Sequence, residues 1–533
     1  MKNRRIGCVV SGSFSEGVVA RLDVQIDMQK LSVGRFVCID VGSESFLSLV
    51  TDLSLASAFP EIIKNPPRED EELFAHVVRK HALYVLAHIR PMLAVSKDGS
   101  YETIKTVAPH FASVSHAQAD DIAAVFGNES DSKNFFSIGS PLGMDAQVCL
   151  NLADFVQRSN GIFGKTGTGK TFVTRTLLAG LVRSECAVNL VFDMHSEYGT
   201  QARSEGKGCS FVKGLKTLFP GKVAVFSLDP EATRRRGCEA DVAVQLSFRD
   251  IRVQDVLLLQ DELNLHSTAL EAAYLLGNAF GRAWLETLLE RGNALKELAE
   301  QIGAHPESIS ALYRKLKRLE YFPFLTKNLD GPPVVDTLLE YLSRGVHVIL
   351  EFGRQTSMLA YLLIASIITR RIHAAYVAKT EKFLSSQMAE DEPQKLVITI
   401  EEAHKFLNPR AAKQTIFGMI AREMRKYYVS LLVVDQRPSC IDSEVLSQLG
   451  TKIVAQLSDD SDIQSVLTGV SGAAGVRTIL ATLGPKQQAF VMGHAVPLPV
   501  LIQTRMYDEV FYAAVSTGTG HIKTACAVEE LFG

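Results

Sequence analysis

The sequence predicts an α/β fold in which a parallel sheet is preceded by a small N-terminal β-barrel and interrupted by a helical insertion. Residues 1 to about 140 consist mainly of short apolar segments separated by Ser and Gly. From about residue 145, apolar strand-like segments alternate with helical ones, which is typical of a parallel sheet. The stretch from 248 to 330 has few strand signals and carries apolar residues at the three-to-four spacing of helices.

The composition is that of a globular protein with several domains. Of the 533 residues, 47% are hydrophobic and 22% are charged, which is ordinary for a soluble chain. The 56 Lys and Arg against 59 Asp and Glu leave a net charge of -3. A protein that coats DNA with its whole surface would be basic, so any DNA-binding surface here must be local, as in a ring or groove.

We expect a cytoplasmic protein without a membrane anchor. The 8 cysteines form no CxxC pair and no zinc-like spacing with His, as expected in a reducing compartment. No signal-peptide core follows the N-terminal residues, because Ser11, Ser13 and Ser15 interrupt it. The longest apolar run, residues 359–368, is shorter than the roughly 20 residues that a bilayer-spanning helix needs.

The N-terminal region, residues 1–140, is predicted to form the barrel. Its apolar segments at 6–10, 18–22, 34–41 and 46–52 are short, and turn signals recur between them. A charged stretch at 67–81 interrupts this pattern and is predicted to be helical.

The α/β region is predicted to lie on both sides of the insertion at residues 248–330. Its first part is 141–247 and its second part is 331–500, followed by a tail or brace at 501–533. A polar segment at 377–393 is predicted to be a loop. The predicted strands are residues 159–163, 187–193, 346–352, 396–400, 430–435 and 452–457.

The insertion is predicted to be a bundle with helices at 256–265 and 270–282. Residues 295–321 (LKELAEQIGAHPESISALYRKLKRLEY) have a helix–turn–helix pattern, with a basic cluster on the second helix. A solvated helix face is the favoured interpretation of this cluster, and a DNA-reading helix is the alternative. The cluster consists of Arg314, Lys315, Lys317 and Arg318.

The strongest motif is residues 164–171, which match GxxxxGK[ST] between a predicted strand and a predicted helix. Glycines let backbone N–H groups approach phosphate oxygens, and the helix N-terminus adds a favourable potential. We expect Lys170 to reach the β and γ phosphates of ATP, and the Thr171 hydroxyl to bind Mg²⁺. The residues predicted to bind the nucleotide are Gly164, Lys165, Thr166, Gly167, Thr168, Gly169, Lys170 and Thr171.

Two carboxylates follow the predicted strand at 396–400, at the edge where ligands bind in open α/β sheets. Glu401 is at the position expected to hold Mg²⁺ through water. Glu402 is expected to orient the water that attacks the γ phosphate, which depends on positioning more than on an unusual pKa. The alternative is an acidic strand end with no catalytic role, which the neighbouring phosphate-binding motif disfavours.

Two further segments carry polar side chains that suit this chemistry. Arg422 and Arg425 lie three residues apart, so they should share a helix face, and an Arg from a neighbouring subunit can stabilise phosphoryl transfer. A salt-bridged surface helix is the equal alternative. Gln436 ends a buried strand and could contact the γ phosphate or the water, although a turn residue is the simpler interpretation.

Residues 193–198 (DMHSEY) follow the strand after the phosphate-binding helix. The cluster of Asp193, His195 and Glu197 suggests a metal site. A polar network behind the phosphate-binding loop, or a contact with DNA, is the favoured interpretation.

These motifs, in this order, resemble those of the HerA family and its FtsK relatives. The resemblance rests on the phosphate-binding loop, DMHSEY, residues 400–407 (IEEAHKFL), residues 420–428 (IAREMRKYY) and residues 433–439 (VVDQRPS). It extends to 443–449 and 451–453, and residues 1–140 are similar to the family's small barrel, the HAS-barrel. The resemblance implies a RecA-like P-loop ATPase core.

The resemblance also implies an assembly and partners. It implies a homohexameric ring that threads double-stranded DNA through its pore and hydrolyses ATP at subunit interfaces. It implies a partner on the barrel face, either a nuclease similar to NurA or a sirtuin-like or other effector in anti-phage defence. Arg422 or Arg425 would then be the finger that reaches the neighbouring subunit, and Gln436 would be the sensor.

The chain departs from the family in two places. Met424 stands where the family usually has Gly, which leaves the choice between Arg422 and Arg425 open. Residues 206–238 have no counterpart that we can place, and they are interpreted as a pore or surface loop.

The main hypothesis is an ATP-driven DNA translocase whose pore grips phosphates without reading bases. Lys405, Arg410 and Lys413 follow the acidic strand end and are the candidate cations for this grip. The alternative is an ATP-binding ring that acts as a scaffold to multimerise and switch a partner enzyme. A membrane-coupled conjugation pump is disfavoured because the sequence has no evident transmembrane segment.

Overall fold

The computed structural model contains two compact units. The first contains Met1–Asn151, Ile453–Ser458 and Val470–Arg505, and the second contains Leu152–Lys452, Asp459–Gly469 and Met506–Gly533. The structure describes residues 5–23, 31–68, 70–96, 98–203, 211–327, 332–355, 357–414, 416–469, 476–477, 480–481, 483–484 and 487–516.

A closed antiparallel barrel forms the N-terminal part of the first unit, as the sequence predicts. The sheet closes because Gly17–Leu22 pairs with both Arg5–Ser13 and Leu83–Ser96. Its interior is filled by apolar side chains such as Val18 and Phe46. The strands around the barrel are Gly17–Leu22, Arg5–Ser13, Ser113–His116, Phe36–Asp40, Glu44–Ser57 and Leu83–Ser96, and Tyr101–Thr103 pairs with the last of these.

Helices and further strands complete the first unit. Pro60–Lys64 and Glu72–His81 connect the two long barrel strands, so the helix predicted at 67–81 begins later, at Glu72. The helix Ala119–Phe126 follows the barrel. Antiparallel pairing then joins Val148–Asn151, Phe135–Pro141, Val500–Thr504 and Gln488–Gly493, in that order. The strand Val500–Thr504 thus belongs to the first unit, whereas the sequence predicted a domain boundary at residue 500. The division of the chain into five parts, 1–140, 141–247, 248–330, 331–500 and 501–533, remains a prediction.

The second unit is built on a parallel sheet, as the sequence predicts. Every neighbouring pair is parallel from the edge strand Val242–Ala243 through to Asn160–Phe163. The central strands are buried on both faces, which explains their continuous apolar sequences. The strands in spatial order are Val242–Ala243, Val223–Ser227, His347–Glu351, Val188–Asp193, Leu396–Glu401, Val429–Asp435 and Asn160–Phe163. A further strand, Thr451–Val454, has residues in both units.

Two strands and two helices form within residues 211–235 of this unit, so the interpretation of 206–238 as a pore or surface loop was wrong for these elements. Val223–Ser227 is a fully buried strand, and Pro230–Arg235 is a helix with Asp229 as its N-cap. Residues 206–210 lie outside the described residues. The strand was missed because no motif marks it, although its residues are apolar and β-prone.

The longest helix, Met358–Ser386, runs through the predicted loop at 377–393, so that prediction was wrong. Its second half carries Ala, Lys and Glu, which favour helix even where the chain is polar. By length and composition alone the helix could cross a membrane, but 67% of its most apolar window is buried inside the protein. Core helices of soluble proteins share this property.

The insertion consists of short helices, as predicted. Trp284 is buried, and its indole N–H donates to the carbonyl of Ile251 at 2.8 Å. Asp255 accepts two hydrogen bonds from the guanidinium of Arg370 on the long helix, which anchors the insertion. Its helices are Val253–Leu258, Gln260–Leu263, Ser267–Phe280, Trp284–Glu290, Leu295–Ile302 and Pro306–Leu316.

Shorter elements complete the second unit. Gln201–Arg203 pairs with Phe211–Lys213, and Leu246–Ser247 pairs with Leu325–Thr326. The remaining α-helices are Leu152–Phe155, Lys170–Ser184, Leu215–Leu218, Val334–Ser343, His404–Leu407, Ala411–Gln414, Ile416–Glu423, Ser443–Gln448, Asp460–Val466 and Glu509–Ser516.

Candidate functional site

The predicted motifs meet at one edge of the parallel sheet. Asn160–Phe163 and Leu396–Glu401 both pair with Val429–Asp435, one on each side. Because parallel strands end at the same edge, the loops that follow these three strands lie side by side. Residues 164–171, the two glutamates and Gln436 are therefore neighbours.

The phosphate-binding loop connects Asn160–Phe163 to the helix Lys170–Ser184. Gly169 precedes this helix with φ 97°, a left-handed conformation that a side chain would strain. The Thr168 hydroxyl and the Lys170 ammonium both donate to the carbonyl oxygen of Lys165, each at 2.8 Å. The loop thus curls around one backbone oxygen, with the Lys170 ammonium inside the curl.

A chain of hydrogen bonds joins this loop to the acidic strand end. The Thr166 hydroxyl donates to Oε1 of Gln436 at 2.6 Å. The Gln436 amide nitrogen donates to Oε1 of Glu402 at 3.0 Å. One amide therefore bridges the phosphate-binding loop and the carboxylate predicted to orient water.

Asp435 holds the backbone on both sides of this bridge. Its buried carboxylate accepts from the backbone N–H of His404 at 2.7 Å and lies 3.0 Å from Nδ1 of the imidazole. Its backbone carbonyl accepts from the N–H of Gly164 at 3.3 Å. The hydrogen bond to Asp435 raises the pKa of His404. Sequence reasoning noted Asp435 and His404 within motifs but gave neither a role.

Glu402 lies in a strained conformation between these contacts. Its φ is 48°, in the left-handed region that residues other than Gly rarely adopt. Such a conformation costs of order 1–3 kcal/mol and persists only where its surroundings impose it. Here they do, because the bond from His404 N–H to Asp435 fixes the backbone two residues later.

Glu401 is buried beneath the site. Tyr198 donates its hydroxyl to Oε1 of Glu401 at 2.8 Å, and Tyr361 donates to the backbone carbonyl at 3.1 Å. Oε2 is buried and has no hydrogen-bond partner among the described residues. Burial and the nearby Asp193 raise the pKa of Glu401 to about 8. An unpaired buried carboxylate oxygen of this kind suits a cation, directly or through water.

The DMHSEY segment forms a polar network behind the phosphate-binding helix, as favoured from the sequence. Asp193 accepts from the backbone N–H groups of Glu197 and Tyr198, each at 2.8 Å. Burial and Glu351 raise its pKa to about 7. Arg175 of the helix donates to the Glu197 carbonyl at 2.9 Å. No cluster of three His, Cys, Asp or Glu suited to a metal occurs in the described part of the chain.

The two candidate finger residues differ in their surroundings. The helix Ile416–Glu423 ends before Arg425, which lies in a 3-10 turn, so the shared face of one regular helix was not found. The Arg422 guanidinium donates to the carbonyl of Ala412 at 2.9 Å. Arg425 is exposed, and its guanidinium has no partner in the part of the chain that the structure describes.

The candidate phosphate-gripping cations contact the insertion. Lys405 lies 3.3 Å from Glu262, and Arg410 lies 3.0 Å from Asp261. All four side chains are partly or largely exposed, so these ion pairs contribute little stability and can exchange for other anions. The side chain of Lys413 lies outside the described residues.

The sequence is similar to one known family and to several curated helicases. A family model described as Helicase HerA, central domain, matches residues 136–372. The DNA double-strand break repair helicase HerA of Pyrococcus furiosus is 23% identical, over 74% of this chain and 73% of that protein. The protein of the same name from Sulfolobus acidocaldarius is 23% identical, over 94% of this chain and 93% of that protein.

Structural comparison also matches this chain to solved structures of other proteins, two of which follow. The bacterial conjugative coupling protein TrwBdeltaN70 has a TM-score of 0.47 and 11% identity, covering 73% of this chain and 92% of that one. VirB4 of Thermoanaerobacter pseudethanolicus has a TM-score of 0.46 and 12% identity, covering 70% of this chain and 97% of that one.

The parallel sheet, the phosphate-binding loop and the helicase relatives define an enzyme, a P-loop ATPase of the helicase type. Within that class, the match to the HerA central-domain model over residues 136–372 and the similarity to HerA helicases confirm the resemblance seen in the sequence.

Proposed function

We propose that this protein is a hexameric ATPase that translocates double-stranded DNA and works with a partner nuclease or effector, in DNA end processing or anti-phage defence. The observation that carries the proposal is the bridge from Thr166 through Gln436 to Glu402. It joins the phosphate-binding loop to the carboxylate that we propose orients water, which supports hydrolysis of a nucleotide bound at this loop. The repair helicases among the relatives support DNA as the substrate.

The residues of the site have separate roles in this proposal. Lys170 leaves the Lys165 carbonyl and binds the β and γ phosphates of ATP, while residues 164–169 present backbone N–H groups. Glu402 orients the attacking water, and Gln436 senses the γ phosphate. Thr171 and Glu401 hold Mg²⁺, partly through water, and the unpaired Oε2 of Glu401 fits this role. The ion would neutralise charge on the phosphates.

Arg425 is the finger that the geometry favours. An arginine finger must reach the active site of a neighbouring subunit, so its guanidinium cannot be held by hydrogen bonds within its own chain. Arg422 is committed to the Ala412 carbonyl, whereas Arg425 is exposed in the turn that follows. In this proposal Arg422 stabilises the loop and Arg425 acts across the interface.

The barrel offers a face for the partner. Leu55 is 86% exposed and Leu73 is 81% exposed, and Phe59 and Ile63 are also largely exposed. Leu55 and Ile63 line a cavity of about 570 Å³, and Tyr84 is also among its lining residues. Exposed apolar surface of this kind marks protein interaction sites, which supports docking of the nuclease or effector here.

DNA would pass through the ring pore, held by cations that include Lys405 and Arg410. Exchange of Glu262 and Asp261 for DNA phosphates would release the insertion from this loop. The contact with DNA phosphates depends on charge, so DNA binding should weaken as the salt concentration rises.

We also propose that the protein acts in the cytoplasm.

The test is ATP hydrolysis by the purified protein with and without duplex DNA. The proposal predicts stimulation by DNA in the wild type, and loss of activity in Lys170→Ala and Glu402→Gln. Mass measurement with ATP should give six subunits. ATPase activity indifferent to DNA, with a partner enzyme that depends on ring formation, would instead favour the scaffold.

A further inference from the structure

The end of the insertion contains two helices joined by a three-residue turn. Leu295–Ile302 ends at Gly303, whose φ of 69° is the left-handed conformation that stops a helix. Pro306–Leu316 begins with proline at its first position. A turn of this length containing Gly is the connection found between the two helices of a helix–turn–helix.

The two helices form a fixed unit. Leu298 and Ala299 of the first helix and Ile309 and Leu312 of the second are completely buried. The Tyr313 ring packs so closely on the Gly292 backbone that a Cβ there would clash with it. The second helix therefore has one buried face and presents the opposite face in a fixed orientation.

The exposed face of the second helix is polar and basic. Glu307, Ser310 and Arg314 follow at three- and four-residue spacing, so they share one face, away from the buried residues. Lys317 and Arg318 extend it beyond the helix and are exposed. The second helix and the turn after it thus present several cations on one surface.

These cations lack the acidic partners found on other exposed helices of this chain. No ion pair involves Arg314, Lys315, Lys317 or Arg318 within the described residues. Lys317 lies over the Tyr313 ring, 5.5 Å from its centroid. Cations on other exposed helices do pair with acids, as in Lys64 with Glu61, Arg235 with Glu231, and Arg344 with Glu340. These four cations can therefore contact an anionic partner without first breaking an ion pair.

We propose that residues 295–318 bind double-stranded DNA as a helix–turn–helix, separately from the pore. In this mode the second helix enters the major groove with its first turns at base edges, and the first helix crosses the backbone. Glu307 and Ser310 would meet base edges, and the basic residues would neutralise phosphates. The inference goes beyond ATP-driven translocation, because this binding requires no nucleotide.

The experiment measures binding of the full-length protein to a random-sequence duplex without nucleotide, over a range of salt. The variant is Arg314→Ala/Lys317→Ala/Arg318→Ala, whose side chains are all exposed. The control, Lys64→Ala/Arg344→Ala/Lys382→Ala, removes the same charge from other exposed helices. We expect the variant to bind at least about tenfold more weakly at low salt, with a salt slope shallower by about three. The control should match the wild type.

A second variant tests the base-edge face. Glu307→Ala/Ser310→Ala should change which duplexes are preferred while leaving the salt slope as in the wild type. Single-stranded DNA should compete poorly, because it has no major groove.

Two results would overturn the inference. One is unchanged duplex affinity and salt slope in the triple variant, and the other is equal competition by single strands. The proposed translocase would survive either result if DNA still stimulated the ATPase. Conversely, duplex binding that depends on Arg314, without any ATPase stimulation, would support this inference and contradict the translocase.

Discussion

The amide nitrogen of Gln436 donates a 3.0 Å hydrogen bond to the carboxylate of Glu402, across the edge of the parallel sheet. The amide oxygen accepts from Thr166 at the same time. An amide can do both because it carries a donor and an acceptor. A movement of the phosphate-binding loop should therefore shift Glu402, the residue predicted to orient water, through Gln436.

Replacing Thr166 by Val should lower kcat by about 10- to 100-fold, because Gln436 loses its anchor and Glu402 its orientation. Thr166→Ser keeps the hydroxyl and should retain most of the activity. Steady-state ATPase assays and nucleotide-binding titrations check this. Equal kcat in the two variants would show that the bridge has no part in hydrolysis.

His404→Leu should reduce kcat by about tenfold or more with little change in ATP affinity, because the strained backbone at Glu402 loses part of its support. His404→Asn should restore much of the activity, since its amide can donate to Asp435 from nearly the same place as Nδ1. Rates and binding constants for both variants test this. Failure of Asn to exceed Leu would argue that the contact with Asp435 is unimportant.

Arg425→Ala should reduce ATP hydrolysis by about 10³-fold without changing the unfolding midpoint. The neighbouring Lys426→Ala, also exposed, serves as the matched control and should be nearly silent. Mixing Arg425→Ala with Glu402→Gln subunits should restore part of the activity, because some interfaces then combine an intact Glu402 with an intact Arg425. No recovery on mixing would contradict a finger that acts between subunits.

His347 should make the protein sensitive to mild acid. It is buried, its Nδ1 accepts from the Asn189 backbone N–H at 3.1 Å, and burial lowers its pKa to about 4. Lys222 contributes to this lowering of the pKa, and Glu185 opposes it. A depressed folded-state pKa means that the unfolded chain binds more protons between about pH 6.5 and 4, so stability falls as the pH falls through that window.

Relative to His347→Asn, the wild type should lose up to about 3 kcal/mol of unfolding free energy across that window. Denaturant unfolding at several pH values gives the free energy of unfolding of each protein. The difference between the two proteins removes the contribution of the other titrating groups, which they share. Parallel pH profiles for the two proteins would exclude this role for His347.

The motifs of the candidate site could be predicted from the sequence because each consists of a few neighbouring residues. The spacing in residues 164–171 and the glutamates at 401 and 402 are readable from a few consecutive residues. The support of the site is not local. Tyr198 and Glu401 are 203 residues apart, and His404 and Asp435 are 31 apart, so no local pattern reveals these bonds.

The fold class was predictable from alternating strands and helices, but some elements were not. Val223–Ser227 lies in a segment without motifs, and its partner strand His347–Glu351 comes more than a hundred residues later. The long helix Met358–Ser386 becomes polar halfway, where it emerges from the core, and that change was interpreted as a loop.

The most direct test of the site is the fate of bound nucleotide in a single turnover. Wild-type protein and Glu402→Gln are loaded with ATP and Mg²⁺, and the bound nucleotide is then recovered and identified. The arrangement of Gln436, Glu402 and the phosphate-binding loop predicts ADP from the wild type and intact ATP from the variant, at equal occupancy. ADP from both proteins at the same rate would contradict it.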